Sequence, residues 1–261
     1  MAAAAWQVDT MDGFLFKQCR FSDSNLIFCS AQQMYVIEIP PNSSRRLSFV
    51  CDSLPAVVSD FAMRDNALAA INGSFFDMQS GFPICYLRID GREVGENTRA
   101  LTDSINRKYY QYATVTLNDG HVGFVVPDSN RLWEGGLAVD NIMTAGPMLL
   151  LNGIMTAQRD DRTFVTNRHN RTALGTREDG TTILFVVDGR FNGLSEGLSL
   201  TELQYVMRWL GCRDAVNLDG GGSTTMYVKG FPDDGVVNHP SDNKEYDHDG
   251  QRPVSNAILV R

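Results

Sequence analysis

The chain has 261 residues, 43% of them hydrophobic and 21% charged, and a formal net charge of -8. That length gives one large domain or two small ones with a sizeable core. The acidic balance, with Arg45-Arg46 and Arg107-Lys108 as isolated basic pairs, argues against a nucleic-acid partner held by bulk charge.

In chain order, Leu26-Ile27-Phe28, Met34 to Ile39 and Leu47 to Val50 read as strands within a strand-rich stretch from 13 to 51. They combine β-branched and aromatic residues, and Pro40-Pro41 closes the second. Pro55 to Asp65 reads as a short helix, with Pro55 in its first turn and Ser53 as N-cap. Ala67 to Ile71 is a buried strand that runs into Asn72-Gly73, a turn signal. Two hairpins follow, with turns at Asp90-Gly91 and Asn118-Asp119-Gly120. Ile142 to Leu151 is broken by a Gly146-Pro147 corner. Residues 155–170 are polar and read as a surface loop. Arg171 to Asp188 is a third hairpin that turns at Asp179-Gly180. Leu200 to Leu210 is the one clear long helix. Ser199 and Glu202 have capping-box spacing, Leu203, Val206, Met207 and Leu210 share one face, and Gly211 ends it. Val216 to Val228 and Val254 to Val260 complete the strands.

Strands dominate and no βαβ repetition occurs, so the class is α+β: a mixed, largely antiparallel sheet core with few helices. No repeat, linker or low-complexity tract divides residues 1–261, which read as one domain. The five cysteines form no C-x-x-C pair and read as buried small hydrophobes, with one disulfide among Cys19, Cys29 and Cys51 as the alternative. No run reaches the roughly 18 apolar residues of a membrane span. The start of the chain lacks the charged and apolar regions of a signal peptide.

Polar groups collect where apolar runs end: Asn72, Asp77, Arg171, Asp188, Arg190, Asp219 and Asn238. Loops at strand ends are where scaffolded sites sit. Asp219 is followed by Gly220-Gly221-Gly222-Ser223-Thr224. Three glycines lose much backbone entropy and bury no side chain, so the run reads as a sharp turn or as an anion-binding concavity of N–H groups. Phe75 and Phe76 beside Asn72 and Asp77 read as an apolar wall or as a core pair. Arginines and an N–H concavity suit a phosphate, and carboxylates suit a sugar's developing oxocarbenium ion. The acidic loop of Asp242, Asn243, Asp247 and Asp249 reads as solvated. Calcium or magnesium is its alternative, without the Glu that an EF-hand requires. The four histidines show no zinc spacing.

Asn72 to Asp77 (NGSFFD), Arg171-Thr172-Ala173-Leu174-Gly175, Asp188-Gly189-Arg190, Asn217 to Thr224 (NLDGGGST) and Arg252 to Ala257 (RPVSNA) occur in that order. This set resembles the phosphodiester glycosidase family from about residue 67 to the C-terminus. The strands at 13–51 carry no family motif and are expected to pack on the rest. The resemblance implies hydrolysis of a sugar-1-phosphodiester or phosphoglycan at the anomeric carbon. It further implies an exported protein whose targeting segment lies outside this sequence. It fixes no cofactor, leaving calcium or magnesium as the candidates, and a homodimer is compatible with it. Its residues map as follows. Asp219 is the carboxylate at the anomeric centre, and Asp188 or Glu196 is the second. Arg171 holds phosphate beside Gly220, Gly221 and Gly222. Asn72, Phe76, Asp77, Thr172, Arg190, Ser223, Thr224 and Asn238 complete the substrate pocket. The alternatives are metal-assisted cleavage of the P–O bond and non-catalytic glycan binding.

Overall fold

Along Thr182–Val187 the apolar side chains alternate between two buried clusters. Leu184 and Val186 enter one, and Ile183, Phe185 and Val187 the other. A strand buried on both faces belongs at the centre of a covered sheet. The computed structural model describes residues 6–97, 111–126, 133–158 and 162–261 and places this strand so. Its sheet runs, in spatial order, β1 (Gln7–Thr10), β2 (Leu15–Phe21), β3 (Gln32–Ile39), β14 (Thr182–Val187), β13 (Arg171–Arg177), β15 (Cys212–Asn217), β11 (Met148–Leu151) and β12 (Ile154–Met155).

A five-stranded sheet has the order β7 (Arg92–Gly95), β6 (Leu87–Ile89), β10 (Asn141–Ala145), β8 (Ala113–Asn118) and β9 (His121–Val125). A four-stranded sheet has the order β16 (Met226–Val228), β5 (Ala69–Asn72), β17 (Val254–Val260) and β4 (Leu47–Ala56). The largest apolar cluster draws on all three sheets, with Phe16 and Leu184, Ile71 and Ile258, and Val115 and Met143 among its members. The opposite face of the eight-stranded sheet is covered by α3 (Leu200–Trp209) through Leu203, Val206 and Met207. Helix α1 (Val58–Arg64) buries Val58, Phe61 and Ala62 against the outer face of the four-stranded sheet.

The sheet-rich class holds, but every described strand pairing is antiparallel, so the expected mixture of directions is absent. The three short helices make α+β a loose label. Local corrections have local causes. Leu26 to Phe28 is a turn, because Asn25 Oδ1 accepts the Ile27 and Phe28 N–H groups at 3.1 and 2.7 Å. Pro55 lies inside β4, and α1 begins only after Val57, without a side-chain cap. The loop at 155–170 contains α2 (Arg162–Thr166). The capping box of α3 forms as its spacing requires. All five cysteines are free; Cys29 is exposed and Cys51 half-buried, so only three are buried.

Candidate active site

Antiparallel pairing brings the ends of β14 and β15 to the same edge as the starts of β3 and β13. The end of β5 and the start of β16 join them from the four-stranded sheet. Asn72, at the end of β5, is fully buried. Its Nδ2 donates to the Asp219 carbonyl at 2.8 Å. Its Oδ1 accepts from Thr172 Oγ1 at 2.8 Å and from the Thr225 N–H at 3.2 Å. Both halves of the amide are thus used to tie two sheets to the glycine loop, which suits a buried polar group. Gly73 and Ser74 bond to Asn256 on β17 from the other side.

The loop from 219 to 225 is held by its own N–H groups. Gly220 donates to Asp219 Oδ1 at 2.9 Å, Gly221 to the Asn170 carbonyl at 3.0 Å and Ser223 to the Gly220 carbonyl at 3.2 Å. Of the four N–H groups expected to cradle an anion, only that of Gly222 has no acceptor among the described residues. The concavity is therefore mostly spent on shaping the loop. Gly221 has a φ of +62°, the region that favours glycine.

Positive charge is supplied instead by two side chains. A Cβ on Gly221 would stand 2.8 Å from Arg190 Nη2, and one on Gly222 would stand 2.7 Å from Arg252 Cζ. Both guanidinium groups therefore lie against the glycines. Arg252 donates to Asp242 Oδ1 through Nε at 2.8 Å. Arg190 is exposed and makes no hydrogen bond or ion pair among the described residues. Its backbone has a φ of +68°, uncommon for a residue with a side chain. Partial enclosure by the surrounding protein, despite the exposed side chain, and then the like charge of Arg252 hold its pKa below the usual arginine value.

Beside these arginines stands Asp219. Enclosure by the protein pushes its pKa up to about 6, although the residue keeps some contact with solvent. Ser223, the Gly220 N–H and Arg252 pull in the opposite direction. The Ser223 hydroxyl is near the carboxyl without completing a hydrogen bond. The result is a carboxyl group that titrates close to neutrality next to an excess of positive charge. Such a pair can hold an anionic ligand and stabilise or move charge beside it.

A profile of the phosphodiester glycosidase family matches residues 65–261. The chain belongs to that family. It is 28% identical over 195 residues to the mouse N-acetylglucosamine-1-phosphodiester alpha-N-acetylglucosaminidase, covering 72% of this chain and 36% of that protein. It is also 37% identical over 75 residues to an uncharacterized SPbeta prophage-derived protein of Bacillus subtilis, covering 29% and 12%. The chain thus spans about a third or less of the length of these curated relatives. Among solved structures, the zebrafish catalytic domain of the same glucosaminidase, auto-inhibited by its pro-peptide, superposes with a TM-score of 0.73 at 19% identity. That match covers 99% of this chain and 86% of the other. A hypothetical protein from Synechocystis gives 0.68 at 17% identity, covering 99% and 64%.

Other family positions do structural work. Arg171 is 2% exposed. It donates to the carbonyls of Leu198, Phe164 and Asn167 at 2.9, 2.7 and 3.0 Å, and its guanidinium lies 5.0 Å from the centre of the Phe164 ring. Where a phosphate-holding role was expected of it, its Nε and Nη2 donate to backbone and fasten α2 and the 198 turn to β13. Arg171→Lys keeps the charge but not the fork. It should cost about 2–3 kcal/mol in urea unfolding, because buried carbonyls lose their donors.

Asp77 is exposed, and its Oδ1 accepts from the N–H groups of Gln79 and Ser80. Phe76 packs into the cluster under α1, while Phe75 faces Phe164 at 6.4 Å. Glu196 pairs with Arg168 at 3.1 Å, which also holds Glu202. Thr172 and Thr224 are buried, with their hydroxyls 3.4 Å apart beside Asn72. In the acidic loop, Asp242 pairs with Arg252, and Asp247 accepts from Asn243. No group of three or more metal-ligating side chains gathers among the described residues.

Asp188 is fully buried and accepts four donors. Tyr35 Oη and His239 Nδ1 reach Oδ2 at 3.0 and 2.8 Å. Asn238 Nδ2 and the His239 N–H reach Oδ1 at 3.1 and 2.9 Å. Asn238 also accepts the Met226 N–H and donates to the Thr224 carbonyl. Sequence reasoning named Asp188 and Asn238 but missed Tyr35, His239 and Arg252. Arg252 lay inside a quoted motif and was passed over. His239 offered no spacing signal, because its partner is 51 residues away. Asn170 was also missed. In the amide orientation that satisfies its neighbours it bridges Gly189 and Ser241, and its carbonyl holds Gly221.

Proposed function

We propose that the chain hydrolyses the glycosidic C–O bond of a sugar-1-phosphodiester, releasing free sugar and a phosphate monoester. The observation that carries this reading is Arg190: an arginine without a protein partner, lying against the glycine loop beside Asp219. Arg190 and Arg252 grip the phosphate, with the Gly222 N–H as a third donor. Asp219, ionised, faces the anomeric carbon and stabilises its developing positive charge. The phosphate monoester is a good leaving group, so it needs little help from a general acid. The mouse relative, named for action on N-acetylglucosamine-1-phosphodiesters, makes that sugar the first substrate to try.

The test is turnover of an N-acetylglucosamine-1-phosphodiester in oxygen-18 water. Label is expected in the released sugar. Label in the phosphate instead would transfer the reaction to the P–O bond and to the phosphodiesterase reading. Absence of any release across a panel of sugars would leave a binding protein. Among the described residues, no helix is long and apolar enough to cross a membrane.

A further inference from the structure

Asp188 accepts four hydrogen bonds, yet it is 0% exposed and cannot meet a substrate. What it does hold is a histidine. His239 Nδ1 lies 2.8 Å from Asp188 Oδ2, and Tyr35 Oη lies 3.0 Å from the same oxygen and 3.2 Å from the same ring nitrogen. A carboxylate only accepts, so Nδ1 carries the proton and Nε2 carries the lone pair. Nε2 has no protein partner among the described residues, and the His239 side chain is 13% exposed. The ring cannot swing away. It stacks on Tyr246 at 3.8 Å with the planes 4° apart, and His248 lies 4.4 Å from it. Tyr246 is anchored in turn on Gln33 at 2.8 Å, and His248 Nδ1 lies 2.7 Å from the Asn238 carbonyl.

This unit adjoins the glycine loop. Asn238, the residue before His239, joins Asp188 to the Thr224 carbonyl. Arg190, two residues after Asp188, lies against Gly221. One short segment thus carries the buried carboxylate and the free arginine.

We propose that His239 Nε2 is the general base of this site and that Asp188 and Tyr35 are positioning residues acting through it. The inference rests on the glycosidase reading given above. Water gives its proton to Nε2 as its oxygen bonds to the anomeric carbon. The C–O bond to phosphate breaks, and its electron pair leaves with the phosphate monoester. The proton on His239 then passes to solvent. Asp219 remains an ionised stabiliser, so two groups must be deprotonated for turnover. The titratable groups around His239 are Asp188 just after β14, Tyr35 on β3, and Tyr246 and His248 on the loop, with Asp233 3.8 Å from His248.

His239→Asn is the discriminating variant. Its amide nitrogen replaces Nδ1, so the bond to Asp188 survives, while Nε2 is removed. Expected are a fall in kcat of about a hundredfold or more, KM within about threefold, and an acid limb of log kcat whose slope drops from two to one. Should that variant not fold, Asp188→Asn is read by its kcat and KM alone, since it spoils the tautomer and leaves Nε2 in place. An active wild type whose folded variant keeps its kcat, or whose His239→Asn form keeps a limb of slope two, would overturn the role of His239 alone. A wild type without turnover removes the parent reading and this one together.

Discussion

Asp219→Asn is expected to lower kcat by about a thousandfold while making the protein more stable at neutral pH. The two effects share one cause. Burial lifts the pKa of this carboxyl from 3.8 to about 6, so the folded protein binds its proton more tightly than the unfolded chain does. A group raised in this way contributes stability that is fully present below about pH 3.8 and is lost as the pH climbs through about 6. Ionised Asp219 therefore costs the fold about 2–3 kcal/mol at pH 7–8. Asparagine is neutral at every pH and still accepts the Gly220 N–H. Melting temperature should rise at pH 8 and change little near pH 4. The pH profile of kcat/KM in the wild type should fall on the acid side as Asp219 becomes protonated. A variant that is inactive and less stable at pH 8 would contradict the strained-carboxylate account.

Removing Arg190 should be as damaging to turnover as its lack of partners makes it harmless to the fold. Arg190→Ala deletes charge-assisted bonds to phosphate worth about 1.5–3 kcal/mol, or about 10–100-fold in kcat/KM. Arg252→Ala should lose a similar factor, but it also strands Asp242 and should cost stability. Lysine at 190 should recover little, because a point charge cannot make the paired contact of a guanidinium with two phosphate oxygens. Steady-state kinetics against salt, with inorganic phosphate as a competing anion, separates the two arginines. Equal kcat/KM for wild type and Arg190→Ala would remove the phosphate from this part of the loop.

Much of the architecture was legible in local signals. Asp90-Gly91 and Asp119-Gly120 take left-handed φ values in their hairpin turns, and Ser199 caps α3 as its spacing demands. The glycine run and Asn72 were found because strand-end polar residues and consecutive glycines are costly without a reason. What the sequence hid was the direction in which each side chain spends its bonds. Arg171 and Arg190 both lie within a family motif. The first is drawn inward by three carbonyls, and the second is left free by a left-handed turn. The glycine N–H groups turned inward for the same reason, since buried backbone donors take the nearest acceptor. The link from Asp188 to His239 joins the end of one strand to a loop far along the chain, and no local pattern marks it.

Strand β17 pairs with β5 on one side and β4 on the other, and through Asn256 it holds the Gly73-Ser74 turn. Asn72 is the last residue of β5. On the ribosome, then, a nascent chain can have made every proposed catalytic group before Val254 emerges and still have no working centre. The pocket closes only when this late strand slots between two partners synthesised about two hundred residues earlier. A product truncated before β17 is therefore expected to be inactive rather than partly active.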